Sequence, residues 1–476
     1  MPAPHILLIT TDELRKDTLS LYGNEAVQTP YLDRFAQSGI RFDKAYSVSP
    51  WCFPSRCAIV TGRLPHNTGA YSNFRPLELD KNIPNLFTEL KKSGYKTSVH
   101  GKCHFVPVPY DQTRPDLTLS YEPFRDYYMS LGIDHLDLQD DKQVSVWFYD
   151  DYAKELDEAG YLKAYRDATW NVEGNRKVFP FPGPDEWHPD SWVGQKAVEY
   201  LEDCDPDKPN FTWVSFSGPH YPFDPPESYF SRVDMSKDKP CSVLEGEFSD
   251  PSRIHHRSYY GNGRGVVDGA GVAPGYACAN YDADYWHELR TSYYANMALI
   301  DDQIGRILEA AEKRFGGNVL VIFTADHGEM LGNHGMWGKG DCAYEDVLNV
   351  PLLVRYPGEQ HASCTDAPVM LTDIMATCLK TAGANPPETD GRDFKESIAC
   401  GGYPYTFSEG EGFASVCDGR WKYVHAVKMG REFYELFDLQ SDPQEFYNVI
   451  DAPEHAAVVA ELRKQLTNLF MKKLLA

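Results

Sequence analysis

No stretch of the 476-residue sequence is apolar for long enough to span a bilayer. No Cys-x-x-Cys pair occurs among its 11 cysteines, whose odd number and scattered spacing fit reduced thiols better than a disulfide framework or a zinc clip. Basic residues are in deficit. The 46 Lys and Arg against 70 Asp and Glu leave a formal charge of −24, a field that repels nucleic acid and anionic membrane surfaces. The opening Met1-Pro2-Ala3-Pro4-His5 has neither the basic nor the long apolar segment of a signal peptide, so a soluble, cytoplasmic chain is expected. Internal repeats and low-complexity segments are missing too. An anionic small molecule would have to be met in a locally basic pocket inside an acidic shell.

What is present is an alternation of short apolar runs and helical patterns. Ile6 to Thr10, Lys96 to Val99, Asn210 to Ser217, Asn318 to Phe323 and Val350 to Val354 read as strands, the first of them a buried parallel one. Helical periodicity covers 30–38, 83–94, 191–202, 284–314 and 368–382, and Tyr293, Met297, Ile300, Ile304 and Leu308 make a core stripe. The class is α/β, with a large mixed, mostly parallel sheet flanked by helices. Periodicity fades over 105–190 and 225–281, two insertions too rich in aromatics to be disordered. Beyond the Pro386-Pro387 loop come short strands and a final helix over 454–475. Two domains are therefore expected, a larger one over 1–385 and a smaller α+β one over 386–476 with an antiparallel sheet.

The candidate chemistry collects at strand ends, where ligands of open α/β sheets gather. Asp12 and Glu13 follow the first strand, although Asp12 as the cap of a helix from Leu14 is an equal reading. Cys52 stands two residues before Pro54 and four before Arg56, whose charge favours an anion nearby. Lys102 and His104, two apart, would share one side of an extended segment. His220 is held between Pro219 and Pro222, and Asp326-His327 ends the clearest buried strand. Asp12, Asp326 and His327 offer hard and borderline donors suited to a divalent cation.

Cys52-x-Pro54-Ser55-Arg56 followed by Thr61-Gly62 resembles the signature of the Cys-type, formylglycine-dependent sulfatases of the alkaline-phosphatase-like superfamily. Gly101-Lys102-x-His104, Pro219-His220-x-Pro222, Asp326-His327-Gly328, Gly338-Lys339-Gly340 and the late Asp442-Pro443-x-Glu445 appear in the family's order. The resemblance implies the alkaline-phosphatase-like fold, a catalytic domain over 1–385, and oxidation of Cys52 to formylglycine by a maturation enzyme. It also implies one divalent metal, calcium with manganese or zinc as alternatives, held by Asp12, Glu13, Asp326, His327 and the Cys52-derived diol. One diol hydroxyl would attack sulfur and the other would expel sulfate, splitting one hard step into two. Arg56 would stabilise the nucleophile, and Asp326 would accept its proton. Lys102, His220 and Lys339 would clamp the sulfate, His220 would protonate the leaving oxygen, and His104 would release the product.

The chain departs from the family's common pattern at Glu13 and His327, where many members have Asp and Asn. The expected reaction is hydrolysis of a sulfate ester, with a phosphonate or phosphodiester hydrolase of the same superfamily as the alternative and a silent binding protein as the least favoured. A two-zinc phosphatase would need further Asp and His ligands, and Phe216 stands where one acid would be. The stretch Leu331-Gly332-Asn333-His334-Gly335-Met336-Trp337 resembles the iduronate-sulfatase branch, which makes His334 a substrate-binding candidate and points to a small sulfated carbohydrate. Aryl sulfates and choline sulfate stay open.

Overall fold

Eight strands form the main sheet of the computed structural model, which describes residues 3–73, 78–106, 119–142, 148–170, 178–255, 282–339, 343–428 and 430–475. In chain order they are β1 (His5–Asp12), β2 (Ile40–Phe42), β3 (Lys96–Gly101), β4 (His135–Leu138), β5 (Asn210–Pro219), β6 (Val319–Ala325), β7 (Leu352–Arg355) and β8 (Ser363–Thr365). Their spatial order is β8-β2-β7-β6-β1-β5-β3-β4. The five strands from β6 to β4 run parallel, and only β7 is antiparallel to its neighbours. Every residue of β1, β5 and β6 is buried, as expected of parallel strands covered on both faces.

Register is what makes this sheet a site. Ile9 sits between Val214 and Phe323, and Thr11 pairs with Ala325, so Asp12 and Asp326 leave neighbouring strands side by side. β3 and β5 deliver Lys102 and His220 to the same carboxyl edge. Four strands thus converge their next residues on one place, the general binding edge of parallel α/β sheets.

Helices cover the sheet in two groups. Pro189–Asp203 packs on Ala283–Phe315, with Gly194 close against Gln303, while Pro30–Ala36 meets the same long helix where Gly305 admits Tyr31. The second group comprises Cys52–Thr61, Leu86–Lys92 and Asp373–Thr381. Four antiparallel strands, β9 (Thr406–Gly410), β10 (Phe413–Cys417), β11 (Trp421–Lys428) and β12 (Arg431–Asp438), form the C-terminal sheet under the helix Ala456–Leu475. Val416, Tyr423 and Leu436 pack there on Leu462 and Leu466. Two side-chain contacts fasten this sheet to the rest: Arg253 pairs with Glu435 at 3.0 Å, and His66 bonds Glu409 at 2.6 Å.

Three local expectations are corrected. The helix over 368–382 begins only at Asp373, because Val369–Met370 pairs as a short strand with Ala45–Tyr46. Asp12 does not cap a helix: β1 runs through it, and only a 3-10 turn, Lys16–Thr18, follows. The insertion over 105–190 is not irregular throughout, since Glu122–Ser130, Asp151–Glu158 and Leu162–Trp170 are helices. Residues 107–118, 143–147, 171–177 and 256–281 of the two insertions, and Gly340 of the Lys339 motif, lie outside the described residues.

Gly101 ends β3 with φ +103°, and a Cβ there would run into the Ser215 carbonyl oxygen of β5. Gly94 also has positive φ, but nothing lies within 4 Å of its would-be Cβ. Gly101→Ala is expected to cost about 3 kcal/mol or more, from backbone strain plus overpacking. Gly94→Ala should cost about 1 kcal/mol. Thermal melts of the two variants check the difference.

Candidate active site

Cys52 is the first residue of the ten-residue helix Cys52–Thr61, which closes on Gly62 in the left-handed conformation. A helix N-terminus favours negative charge on the residue that opens it. Arg56, one turn on and fully buried, points back to the strand ends. Its Nε donates to Asp326 Oδ2 at 2.8 Å, and its Nη1 donates to Ser215 Oγ at 2.7 Å and to the Lys102 carbonyl at 3.0 Å. Its Nη2 lies 3.6 Å from Asp12 Oδ2. Ser47 and Ser55 both donate to the Asp326 carbonyl at 2.6 Å.

Donor atoms of Asp12, Cys52, Asp326 and His327 lie within 4.8 Å of one another. His327 Nδ1 bonds the Gly328 carbonyl at 2.9 Å. With the proton assigned there, Nε2 turns its lone pair to the cluster, 3.1 Å from Cys52 Sγ and 3.6 Å from Asp12 Oδ1. Asp12 Oδ2 faces Lys102 Nζ and Arg56, which meet its charge. Two carboxylates, one lone-pair imidazole and residue 52 therefore fit a divalent cation.

The cationic side of the site is Lys102 and Lys339. Lys102 Nζ contacts Asp12 and lies 2.6 Å from Asp141 Oδ2, and Lys339 Nζ lies 3.2 Å from Cys52 Sγ and 3.0 Å from Glu13 Oε2. Burial pushes the Cys52 thiol up and Asp12 adds to this, yet the charges of Lys339 and Lys102 lead those that outweigh both and bring it down to about 5. Position 52 is thus tuned to carry an anion. Burial holds the Glu13 carboxyl well above its usual range, while burial and Lys339 hold His220 well below its own. Glu13 Oε2 and His220 Nε2 are 3.1 Å apart.

Of the residues singled out in the sequence, the structure gathers Asp12, Glu13, Cys52, Arg56, Lys102, His220, Asp326, His327 and Lys339. Glu13 turns away from the four-residue group: with φ +62° its carboxylate groups instead with Asp12 and His220. His104 also has φ +50°, so Lys102 and His104 do not share an extended segment as the spacing suggested. Its backbone N–H donates to Asp140 at 2.7 Å, and its Nδ1 is buried without a hydrogen-bond partner. His334 lies apart, bonded to Glu247 at 2.8 Å and stacked on Tyr344 at 4.2 Å.

Other residues were missed. Asp140 and Asp141, just beyond β4, hold the backbone after Lys102 and the Lys102 ammonium itself. An acid pair at a strand end was a readable signal, hidden by the aromatic insertion around it. Tyr293, placed in the core stripe, donates its hydroxyl to the Glu13 carbonyl at 2.5 Å. Lys142 is buried with Asp224 at 2.7 Å, Asn296 at 3.1 Å and Asp190 at 3.6 Å, and Asp190 accepts from the Gly218 N–H at 2.9 Å. This network backs the His220 loop, whose Gly218-Pro219 and Tyr221-Pro222 bonds are both cis.

Lys142→Met leaves Asp190 and Asp224 buried without their cation and is expected to destabilise the protein by about 3–5 kcal/mol. Adding Asp224→Asn should recover part of the loss, which chemical denaturation of the single and double variants measures.

A family model described as Sulfatase matches residues 4–384, and one described as N-sulphoglucosamine sulphohydrolase, C-terminal, matches residues 332–472. The chain is 29% identical over 490 residues to an arylsulfatase of Clostridium perfringens, covering 97% of this chain and 93% of that protein. It is 24% identical to an N-acetylglucosamine-6-O-sulfatase of Bacteroides thetaiotaomicron, covering 97% and 85%. Its fold matches the crystal structure of a phosphonate monoester hydrolase of Agrobacterium radiobacter with a TM-score of 0.79 at 24% identity, covering 98% and 96%. With that family model spanning most of the sequence, the chain belongs to the sulfatase family, sulfuric ester hydrolases of the alkaline-phosphatase-like superfamily.

Proposed function

We propose that the chain releases inorganic sulfate from a small sulfated carbohydrate, using Cys52 after its conversion to formylglycine by a maturation enzyme. The observation that carries this reading is the convergence of Lys339 and the His327 ring on Cys52 Sγ, at 3.2 and 3.1 Å, beside the carboxylates of Asp12 and Asp326. A thiol nucleophile would not need a cluster of acids beside it, whereas an oxygen nucleophile on residue 52 next to a cation does. Once formed and loaded, formylglycine 52 supplies the attacking hydroxyl, and a divalent cation held by Asp12, Asp326, His327 and residue 52 stabilises negative charge on oxygen.

The side chains have distinct work in this reading. Arg56, fixed by Asp326 and Ser215, presents positive charge to the nucleophile's position. Asp326 takes the hydroxyl proton. Lys102 and Lys339 bind the sulfate oxygens, and both stay cationic because, although burial opposes their charge, the surrounding anions raise their pKa values. His220 Nε2, with Glu13 Oε2 at 3.1 Å, passes a proton to the departing ester oxygen. Glu13 therefore belongs with the clamp in this reading, and His104, with its unpartnered buried Nδ1, is the base for product release.

A carbohydrate substrate is supported by the similarity to the N-acetylglucosamine-6-O-sulfatase. A phosphonate or phosphate ester is the second reading, favoured by the fold match to the phosphonate monoester hydrolase. Turnover on a panel of sulfated sugars, aryl sulfates, choline sulfate and phosphonate esters separates the two. Sulfate release from sugars is expected, and turnover confined to phosphonates would overturn the proposal.

Cys52→Ala should abolish sulfate release, and in active protein the peptide spanning Cys52 to Arg56 should carry the aldehyde by mass spectrometry. Lys339→Ala should lower kcat/KM by about 100-fold, the usual loss for one charge-stabilising contact. Chelation should remove turnover, and readdition of Ca2+, Mn2+ or Zn2+ to the chelated enzyme identifies the working ion.

A further inference from the structure

A second group of metal-ligating side chains lies away from the Cys52 cluster, on the outer strands β3 and β4. The pairing register sets His100 directly opposite Asp137 and Ser98 opposite His135. His135 and Asp137 are two apart on β4, so both project from the same face, and His100 joins them from β3. His100 Nδ1 lies 2.7 Å and His135 Nε2 lies 2.9 Å from the same oxygen, Asp137 Oδ2. One donor atom from each of the three residues lies within 4.8 Å of the others. The Tyr200 ring walls the group, 5.0 Å from the His100 ring and 4.9 Å from the His135 ring.

The three residues offer a cation more than an accidental histidine–aspartate contact would. Two imidazoles meet at a single carboxylate oxygen, so the donor atoms of all three residues already share one small region that a cation could enter. His100 is fully buried and turns Nδ1, the nitrogen that would ligate, to Asp137, while Nε2 on the far side of the ring has no hydrogen-bond partner. The His135 side chain is 46% exposed, so one side of the group is open to water for a further ligand. Lys196, facing Asp137 from the Pro189–Asp203 helix, has its ion pairs with Glu155 and Glu199 and does not fill the place.

From this geometry we infer that His100, His135 and Asp137 form a second metal site, taking one Zn2+ with water completing the shell. Two imidazole nitrogens and one carboxylate suit a borderline cation such as Zn2+ better than Ca2+ or Mg2+, which prefer all-oxygen cages. The bound ion ties β4, the edge strand, to β3. Both strands run straight into the active site: His100 precedes Lys102 by two residues, and Asp137 precedes Asp141, the anion that holds Lys102. Zn2+ at this edge therefore stiffens the two segments that position the sulfate clamp, whatever the substrate.

The test uses the full-length chain with Asp326→Asn, which removes a ligand from the Cys52 cluster, and the same chain with His135→Ala added. Zn2+ is titrated into each, after chelator treatment, by calorimetry, with Co2+ absorption as a second probe. Binding of one Zn2+ by Asp326→Asn, weakened about tenfold or more by His135→Ala, is expected. Absence of Zn2+ binding in Asp326→Asn, or an unchanged isotherm in the double variant, would overturn the assignment. A metal-free melting midpoint shared by the two proteins excludes misfolding as the cause of lost binding.

Discussion

The constraint on which this protein depends is the burial of opposite charges beside one another at a single sheet edge. Arg56, Lys102, Asp12 and Asp326 are all removed from water. Stripping such ions of solvent costs several kcal/mol each, recovered only when partners and hydrogen bonds are in place. Arg56 answers this by spending its donors on Asp326, Ser215 and the Lys102 carbonyl, and by facing Asp12. Its planar fork spans three strand ends at once, which a lysine ammonium could not do.

The rest of the architecture can be understood from that constraint. A cluster of fixed charges needs rigid supports, and each member stands on or just beyond a buried parallel strand or at the start of a helix. The supports have supports of their own. Asp141 holds Lys102, Asp140 holds the following backbone, and Lys142 with Asp190 and Asn296 backs the His220 loop. Tyr293 reaches from the long helix to the Glu13 carbonyl and accepts the Arg15 N–H at 3.0 Å, fixing the turn after β1. Preorganised charge of this kind stabilises a developing anion without rearrangement during the reaction.

The overall charge of −24 and the local cationic site are compatible because they act over different distances. Exposed carboxylates are screened beyond about 8–10 Å by physiological salt, whereas Lys102 and Lys339 act within a buried cluster at contact range. An anionic substrate therefore meets a repulsive surface but an attractive interior. Small size helps such a molecule, since a long polyanion would keep most of its charge in the repulsive region.

The sequence alone determined the strands and the residues at their ends. Continuous runs such as Ile6 to Ile9 and Val319 to Phe323 suit a covered parallel sheet, and the Cys52 to Gly62 signature is local and specific. Nine of the singled-out side chains meet for that reason. What the sequence did not reveal depends on contacts distant along the chain. Asp141 lies 39 residues from Lys102 and Tyr293 lies 280 from Glu13, and no periodicity marks either pairing. His104 turned out otherwise than its spacing suggested, and Glu13 otherwise than the family resemblance implied, because positive φ angles at both re-aim the chain, and such angles are set by packing rather than by residue type. The convergence of His100, His135 and Asp137 also belongs to the tertiary structure alone, since it follows from the β3–β4 register, which only the assembled sheet fixes.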